Sequence, residues 1–205
     1  MSSPLFPNDV LFLQRLLRAE GLYLDSLDGL WGPHTEAAVQ AHEAQAAALQ
    51  AALGSFDPRS ERCIATLSLR AQQAARQFLQ RVQGSGLTVR ILSGTRTYGE
   101  QNELFKQGRF GNPGPVVTNA RGGFSNHNFG IAWDVGVFTA GGGYIGDGPE
   151  YAQVAQAGLA DGLEWGGNWV SIVDKPHYQL KLGLGVSALR AAFEGGKPIA
   201  GYALR

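Results

Sequence analysis

The chain has 205 residues, of which 44% are hydrophobic and 17% charged, the composition of a globular protein with a buried core rather than of a disordered chain. Its 17 Lys and Arg balance 17 Asp and Glu, so the chain has no overall positive charge that would attract nucleic acid. No apolar run approaches the roughly 20 residues needed to span a membrane. Cys63 is the one cysteine, which excludes an intramolecular disulfide and leaves histidine and carboxylate side chains to hold any metal.

The amino-terminal quarter has a helical pattern. Apolar residues recur at three- and four-residue spacing after Asp9 and stop at Gly21, which predicts a first helix with Asn8 or Asp9 as its cap. A turn-rich stretch follows, after which Thr35 is placed to cap a second helix that runs to Leu53.

A break at residues 54–58, Gly-Ser-Phe-Asp-Pro, predicts a boundary between one domain at residues 1–53 and a second at residues 54–205. In the second domain helical and alternating patterns succeed one another, which predicts helices packed on a small, mainly antiparallel sheet, an α+β fold. The predicted elements are, in chain order, a helix at Ser60–Gln83, a strand at Leu87–Leu92, a short helix through Gln101 and Leu104, a loop at Gly108–Gly123, a strand at Ile131–Phe138, a loop at Ala140–Gly148, a helix at Tyr151–Ala160, a turn-rich connection at Gly162–Trp169, a strand at His177–Leu182 and a helix at Val186–Phe193.

Three candidate functional residues can converge although they are far apart in the sequence. His127 lies in a loop that leads into the strand carrying Asp134, and His177 begins another strand. Two imidazoles and one carboxylate suit Zn²⁺, whose catalytic sites use three protein ligands and leave a fourth position for water. Asp174, held in a fixed relation to His177 by Pro176, is a candidate base for hydrolysis. Spacing alone leaves open the alternative that these are hydrogen-bonded structural residues.

Two motifs around these residues carry a family resemblance. Residues 125–134 read S-x-H-x-x-G-x-A-x-D, and residues 174–178 read D-x-P-H-Y. Both closely resemble the zinc peptidases related to D-Ala-D-Ala carboxypeptidases, and the nearer match is the endolysin branch, the L-alanyl-D-glutamate endopeptidases of phages and bacteria. The resemblance implies a peptidase with Zn²⁺ as its cofactor.

The resemblance also assigns a role to four residues. Carried over position by position, it implies His127, Asp134 and His177 as zinc ligands and Asp174 as the general base. The Asp-x-Pro-His form of the last motif favours the endopeptidase, because the carboxypeptidases of this family more often have Glu and Trp before the final histidine.

Further cleft residues have more than one interpretation. The same family has an arginine shortly after its first strand, and residues 93–96, Ser-Gly-Thr-Arg, resemble that element. Arg96 would then stabilise negative charge on the attacked carbonyl oxygen; otherwise it pairs with a structural carboxylate. Ser125 is placed either to bind and orient substrate or to brace its own loop. Trp165 and Trp169 either line the cleft or belong to the core.

The amino-terminal unit has a resemblance of its own, to the peptidoglycan-binding domain type 1. This family is built from three short helices, so the resemblance implies a small three-helix domain that binds peptidoglycan. The matching segments are Leu13-Gln14-x-x-Leu17, Gly21-x-Tyr23, Asp28-Gly29-x-Trp31-Gly32 and Thr35-x-x-Ala38-Val39.

The amino-terminal resemblance and the peptidase resemblance are independent, and both indicate bacterial peptidoglycan. We therefore expect peptidoglycan to be the partner of this protein. The expected function is zinc-dependent cleavage of the L-alanyl-D-glutamate bond of peptide stems by a monomeric phage endolysin. No secretory signal is recognisable, so we expect the protein to stay in the host cytoplasm until it is released to the periplasm or cell wall. The alternatives are a D-Ala-D-Ala carboxypeptidase, a bacterial wall-remodelling enzyme exported by another route, and a non-catalytic wall-binding protein with a structural metal.

Overall fold

The computed structural model of the protein describes residues 7–204 and has the predicted α+β fold. The first six residues of the predicted amino-terminal domain, and Arg205, lie outside the described residues. Within residues 7–204 no helix has the length and apolar character to cross a bilayer. The helices are α1 (Pro7–Ala19), α2 (Pro33–Leu53), α3 (Pro58–Ile64), α4 (Leu69–Val82), α5 (Tyr98–Lys106), α6 (Glu150–Gly158) and α7 (Val186–Glu194), and the strands are β1 (Thr88–Ser93), β2 (Ala132–Phe138), β3 (Tyr144–Ile145), β4 (Leu163–Trp165) and β5 (His177–Leu180).

The strands form one antiparallel sheet in the order β1-β2-β5-β4, with the short β3 paired to the end of β2. Its register places Asp134 opposite His177 and Glu164 opposite Gln179. Cross-strand partners project from the same face of a sheet, and so do residues two apart along one strand. These four polar side chains therefore share one face.

The other face of the sheet packs on α4 through aromatic side chains. Trp133 and Tyr178 stack with ring centroids 6.3 Å apart, and the ring of Phe78 from α4 lies 4.5 Å from that of Tyr178. All three are fully buried. This core fixes β2 and β5 side by side, and it leaves the polar face free to carry a site.

The amino-terminal region contains two helices within residues 7–53, so the predicted third helix is wrong for the described residues. The segment between α1 and α2 is held instead by the buried amide of Gln14. Its Nε2 donates to Asp28 Oδ1 at 2.9 Å and to the Leu30 carbonyl at 3.0 Å, and its Oε1 accepts from the Gly29 N–H at 2.9 Å. One side chain thus hydrogen-bonds backbone and carboxylate groups of this non-helical segment.

Helix α1 belongs to two clusters of buried side chains. Leu16 and Ala19 join the core formed by α4 and the sheet. Leu17 packs with Tyr23 and Ala38 in a smaller cluster of the amino-terminal region. The amino-terminal helices are therefore docked on the rest of the chain, and the domain boundary at residue 53 stays a prediction.

The single helix predicted at Ser60–Gln83 is wrong, because the chain breaks between α3 and α4. Hydrogen-bond acceptors from distant parts of the chain bind the backbone N–H groups at the start of α4. The Ser68 N–H donates to the Gly130 carbonyl at 2.9 Å, and the Leu69 N–H donates to Glu20 Oε1 at 2.7 Å. Glu20 therefore serves as the cap of α4 although it lies 49 residues away in sequence.

Smaller differences occur at the ends of elements and in loops. Helix α2 begins at Pro33, so Thr35 is a buried residue of its first turn rather than its cap, and α1 likewise begins before Asn8 and Asp9. The predicted loop at 140–148 contains β3, and the predicted connection at 162–169 contains β4. Both strands are only two or three residues long, and their pairing partners rather than their own sequences define them.

We expect Glu20→Ala to lower the free energy of unfolding by about 1–3 kcal/mol, because it leaves the buried Leu69 N–H without an acceptor. It also removes the partner of His42, whose Nδ1 lies 2.8 Å from Glu20 Oε2. Urea unfolding of the full chain measures the change. Glu43→Ala, on the exposed face of α2, is the matched control, and equal stability of the two variants would contradict this role of Glu20.

Candidate metal centre

Three side chains meet at the polar face of the sheet. His127 Nε2 lies 3.2 Å from Asp134 Oδ1 and 3.2 Å from His177 Nδ1, and His177 Nδ1 lies 3.3 Å from Asp134 Oδ1. Asp134 and His177 face each other across β2 and β5, and His127 comes from a short 3-10 turn at Asn126–Phe129 that precedes β2. Within residues 7–204 this is the one group of three or more His, Cys, Asp or Glu side chains whose ligand atoms converge in this way.

Each imidazole is oriented by a carbonyl oxygen on its far side. His127 Nδ1 donates to the Gly94 backbone carbonyl at 2.7 Å, and His177 Nε2 donates to the side-chain Oε1 of Gln179 at 2.9 Å. A carbonyl oxygen only accepts, so in the neutral rings the proton sits on these outer nitrogens. The nitrogens that face each other then carry lone pairs, as metal ligands require.

The distances between these atoms fit a tetrahedral ion. Zinc bonds of about 2.0–2.1 Å in tetrahedral geometry place ligand atoms about 3.3–3.4 Å apart. The three separations, 3.2, 3.2 and 3.3 Å, match that spacing, and the donor set of two imidazoles and a carboxylate is one that zinc uses. The residues therefore fit a zinc ion.

The charges at the centre favour a cation. Burial alone would raise the pKa of Asp134, yet the neighbouring imidazoles of His127 and His177 hold that pKa well below its usual range. Burial likewise opposes charge on His177, but the hydrogen bond that the protonated ring donates to Asp134 raises the pKa of His177. The cluster therefore stabilises positive charge at its middle.

Asp174 lies beside the centre, in the loop that leads to β5. Its N–H donates to the Gly166 carbonyl at 3.0 Å, and its own carbonyl accepts from the His177 N–H at 3.2 Å. Gly166 allows this close approach, because a Cβ there would lie 2.5 Å from the Asp174 carbonyl oxygen. Burial and the charge of Asp134 raise the pKa of the Asp174 carboxyl. A carboxylate of raised pKa is a better proton acceptor than an exposed one.

Arg96 reaches the same centre from the end of β1. Its Nη2 lies 3.9 Å from Asp134 Oδ2, and its N–H donates to the His127 carbonyl at 3.0 Å. Asn128, fully buried, donates from Nδ2 to the Arg96 carbonyl at 2.8 Å and accepts the Gly123 N–H at 2.9 Å. The predicted base and the predicted arginine thus both lie around the convergent ligands.

An open cleft of about 910 Å³ surrounds the centre. Ser125 lines it, and within residues 7–204 its hydroxyl makes no hydrogen bond, whereas its carbonyl accepts the Asn128 N–H at 2.9 Å. The backbone of Ser125 therefore braces the turn, and its side chain remains available to a ligand. Exposed apolar residues stand along the cleft, among them Val116, Val117, Phe124, Tyr144 and Ile172.

The two tryptophans have different surroundings. Trp169 lines the cleft, with its ring centroid 5.0 Å from that of His177. Trp165 stacks on the core residue Tyr178 at 6.5 Å and donates from Nε1 to the Lys175 carbonyl at 2.7 Å.

The sequence motifs missed Gln179, which contacts the ligand His177, and Glu164, which contacts Gln179. Gln179 accepts a hydrogen bond from His177, and Glu164 accepts one from Gln179 Nε2 at 3.0 Å. The available signal was the alternation of a strand, because a residue two positions after a ligand projects from the same face.

Comparisons with known proteins find similarity to peptidases in this region. Residues 118–180 match the family model described as D-alanyl-D-alanine carboxypeptidase. The peptidoglycan L-alanyl-D-glutamate endopeptidase CwlK of Bacillus subtilis (strain 168) is 38% identical over 104 residues, a match that covers 46% of this chain and 62% of that relative. The chain thus spans less than two thirds of the length of this relative.

A solved structure is also similar. The L-Ala D-Glu endopeptidase ChiX of Serratia marcescens aligns with a TM-score of 0.47 and 25% identity, over 62% of this chain and 90% of that one. The family match at residues 118–180 includes the three convergent ligands and Asp174. That segment is similar to the peptidase family described as D-alanyl-D-alanine carboxypeptidase.

Proposed function

We propose that this protein is a zinc-dependent peptidase that hydrolyses the L-alanyl-D-glutamate bond of peptidoglycan stems. The observation that carries the proposal is the triangle of His127 Nε2, Asp134 Oδ1 and His177 Nδ1, with sides of 3.2, 3.2 and 3.3 Å at an open cleft. The choice of bond is supported by the similarity to CwlK, an endopeptidase of that specificity by name.

The chemistry follows from the charges around the triangle. A zinc ion bound by the three ligands would lower the pKa of a water molecule and polarise the scissile carbonyl. Asp174, whose pKa is raised, accepts the proton from the attacking water and delivers it to the leaving amine. Arg96 presents a cation beside Asp134, where it can stabilise negative charge as it develops on the carbonyl oxygen.

The cleft is large enough for a peptide substrate. At about 910 Å³ it lies near the upper end of the roughly 300–1,000 Å³ of small-molecule sites. The preference for an endopeptidase over a carboxypeptidase is supported by the similarity to CwlK and by the Asp-x-Pro-His motif at residues 174–177.

Digestion of defined peptidoglycan fragments by the zinc-loaded protein, followed by mass spectrometry, tests the proposal. We expect glycan fragments that end in L-alanine, together with peptides that begin with D-glutamate. Release of terminal D-alanine alone would identify a carboxypeptidase. Binding of the fragments without any cleavage would instead identify a wall-binding protein with a structural metal.

We expect Arg96→Met to lower kcat by about 10²- to 10³-fold, the effect of removing one group that stabilises an oxyanion. Zinc content should be unchanged, because Arg96 is not a ligand. Arg59→Met, on an exposed position of α3, is the control. A kcat close to that of the natural chain would show that Arg96 serves only as an ion-pair partner of Asp134.

We further propose that residues 1–53 hold the enzyme on the wall and that the protein acts as a phage endolysin, made in the host cytoplasm and released to the wall. The support is the resemblance of the amino-terminal segments to peptidoglycan-binding domains. Leu30 and Trp31 are exposed there and can contact glycan. The fraction of protein that sediments with purified sacculi should fall in a Leu30→Ala, Trp31→Ala double variant of the full chain. Cells that express the protein in the cytoplasm should lyse only after the inner membrane is permeabilised.

A further inference from the structure

A hydrogen-bonded relay lies behind His177, away from the convergent ligand atoms. Gln179 follows His177 by two residues on β5 and projects from the same face, and Glu164 of β4 is its cross-strand partner. Gln179 Oε1 accepts from His177 Nε2 at 2.9 Å, and Gln179 Nε2 donates to Glu164 Oε2 at 3.0 Å. Glu164 Oε1 also accepts from Trp169 Nε1 at 2.6 Å.

The direction of this relay is fixed by Glu164. A carboxylate only accepts hydrogen bonds, so Gln179 must turn its NH₂ group towards Glu164 and its carbonyl oxygen towards His177. Asn126 supports the same orientation, because its Nδ2 donates to Gln179 Oε1 at 2.6 Å. Asn126 also begins the turn that carries His127, so the relay joins the segments of both histidine ligands.

The orientation of the amide decides which nitrogen of His177 is free. With the carbonyl oxygen of Gln179 at Nε2, the ring carries its proton there, and the Nδ1 lone pair points to His127 and Asp134. A reversed amide would present N–H to Nε2 and favour a proton on Nδ1. That proton would occupy the position that a metal ion needs.

We propose that Gln179, oriented by Glu164, is a positioning residue that selects the metal-binding tautomer of His177 and thereby sets the affinity for zinc. The inference rests on the zinc site of the proposed function. It concerns binding of the ion and not the bond that is cleaved, so it can be tested without substrate.

The first test is the zinc dissociation constant of the full-length Gln179→Met variant, measured by competition with a chromophoric chelator. Methionine has a similar length but offers His177 no carbonyl oxygen, and we expect about 10- to 100-fold weaker binding, as for loss of other partners of metal-bound histidine. Gln156→Met, on the exposed side of α6, is the matched control. Unfolding of each variant without zinc measures any simple loss of packing.

The second test exchanges the two side chains. Glu164→Gln combined with Gln179→Glu restores every hydrogen bond of the relay. The glutamine at position 164 can donate to the carboxylate at position 179 and accept from Trp169. The carboxylate at position 179 accepts from His177. We expect zinc affinity to equal or exceed that of the natural chain, and the Co²⁺-loaded exchanged variant to have the absorption spectrum of the Co²⁺-loaded natural chain. Gln179→Glu alone sets two carboxylates against each other and should bind zinc more weakly than the exchanged pair.

Two results would overturn the inference. One is a zinc affinity of Gln179→Met equal to that of Gln156→Met; the other is an exchanged pair that folds but binds zinc no better than Gln179→Glu. If zinc binding follows the expected order while no peptide is cleaved, the proposed function fails and the inference about Gln179 stands.

Discussion

Asp174→Ala should lower the rate of peptide hydrolysis by about 10²- to 10⁴-fold, the contribution of a positioned proton acceptor. The carboxylate has a raised pKa, and the contacts of its backbone to Gly166 and His177 fix it beside the ligands. Zinc content should be nearly unchanged, because Asp174 is not among the three convergent ligands. Steady-state kinetics on a defined peptidoglycan fragment, with the metal content of each sample determined, gives both quantities.

Two variants sharpen this test. Asp174→Asn keeps the shape of the side chain but removes its capacity to take up a proton, so it should be as impaired as Asp174→Ala. Asp161→Ala removes an exposed carboxylate from the turn before β4 and should leave the rate unchanged. Turnover by Asp174→Asn close to that of the natural chain would assign the base to another group.

His127→Ala should abolish both zinc binding and hydrolysis. The side chain is almost fully buried and its Nε2 faces the other two ligand atoms, so the substitution removes one of the three convergent ligand atoms. Zinc at about 100 times its dissociation constant should stabilise the natural chain by about 2.7 kcal/mol, and this increment should vanish in the variant. Urea unfolding with and without zinc measures the increment.

His34→Ala is the control for this prediction, because His34 is exposed in the amino-terminal region and lies beside Asp25. It should keep the zinc increment and the full rate. Stoichiometric zinc in His127→Ala would contradict the ligand assignment. A chelator that lowers the melting temperature of the natural chain without changing its rate would indicate a structural metal.

The strands and the turn that carry the candidate site could be predicted from local sequence patterns. Alternating apolar residues predict the strands of Asp134 and His177, and a loop that feeds directly into a strand places His127 near Asp134. The structure brings these three side chains together and sets Asp174 and Arg96 beside them. Their roles in catalysis remain predictions.

Contacts between segments that are distant in sequence could not be predicted from local patterns. The break between α3 and α4 depends on Glu20 and Gly130, which accept hydrogen bonds from the start of α4. The short strand β4 depends on its pairing with β5, and the non-helical segment between α1 and α2 is held by the amide of Gln14. In each case a partner remote in sequence overrides a local preference.

The relay through Gln179 and Glu164 has the same origin. Two polar residues on neighbouring strands acquire a function only when the register places them opposite each other and behind His177. The sequence motifs do not specify that register.

A crystal structure of the zinc-loaded protein, with anomalous diffraction recorded at the zinc edge, tests the central claim most directly. We expect one ion bound by His127 Nε2, the Asp134 carboxylate and His177 Nδ1, with a fourth coordination position open to the cleft. Imidazoles that point apart, an ion bound elsewhere, or a fourth protein ligand that closes the site would contradict a hydrolytic role.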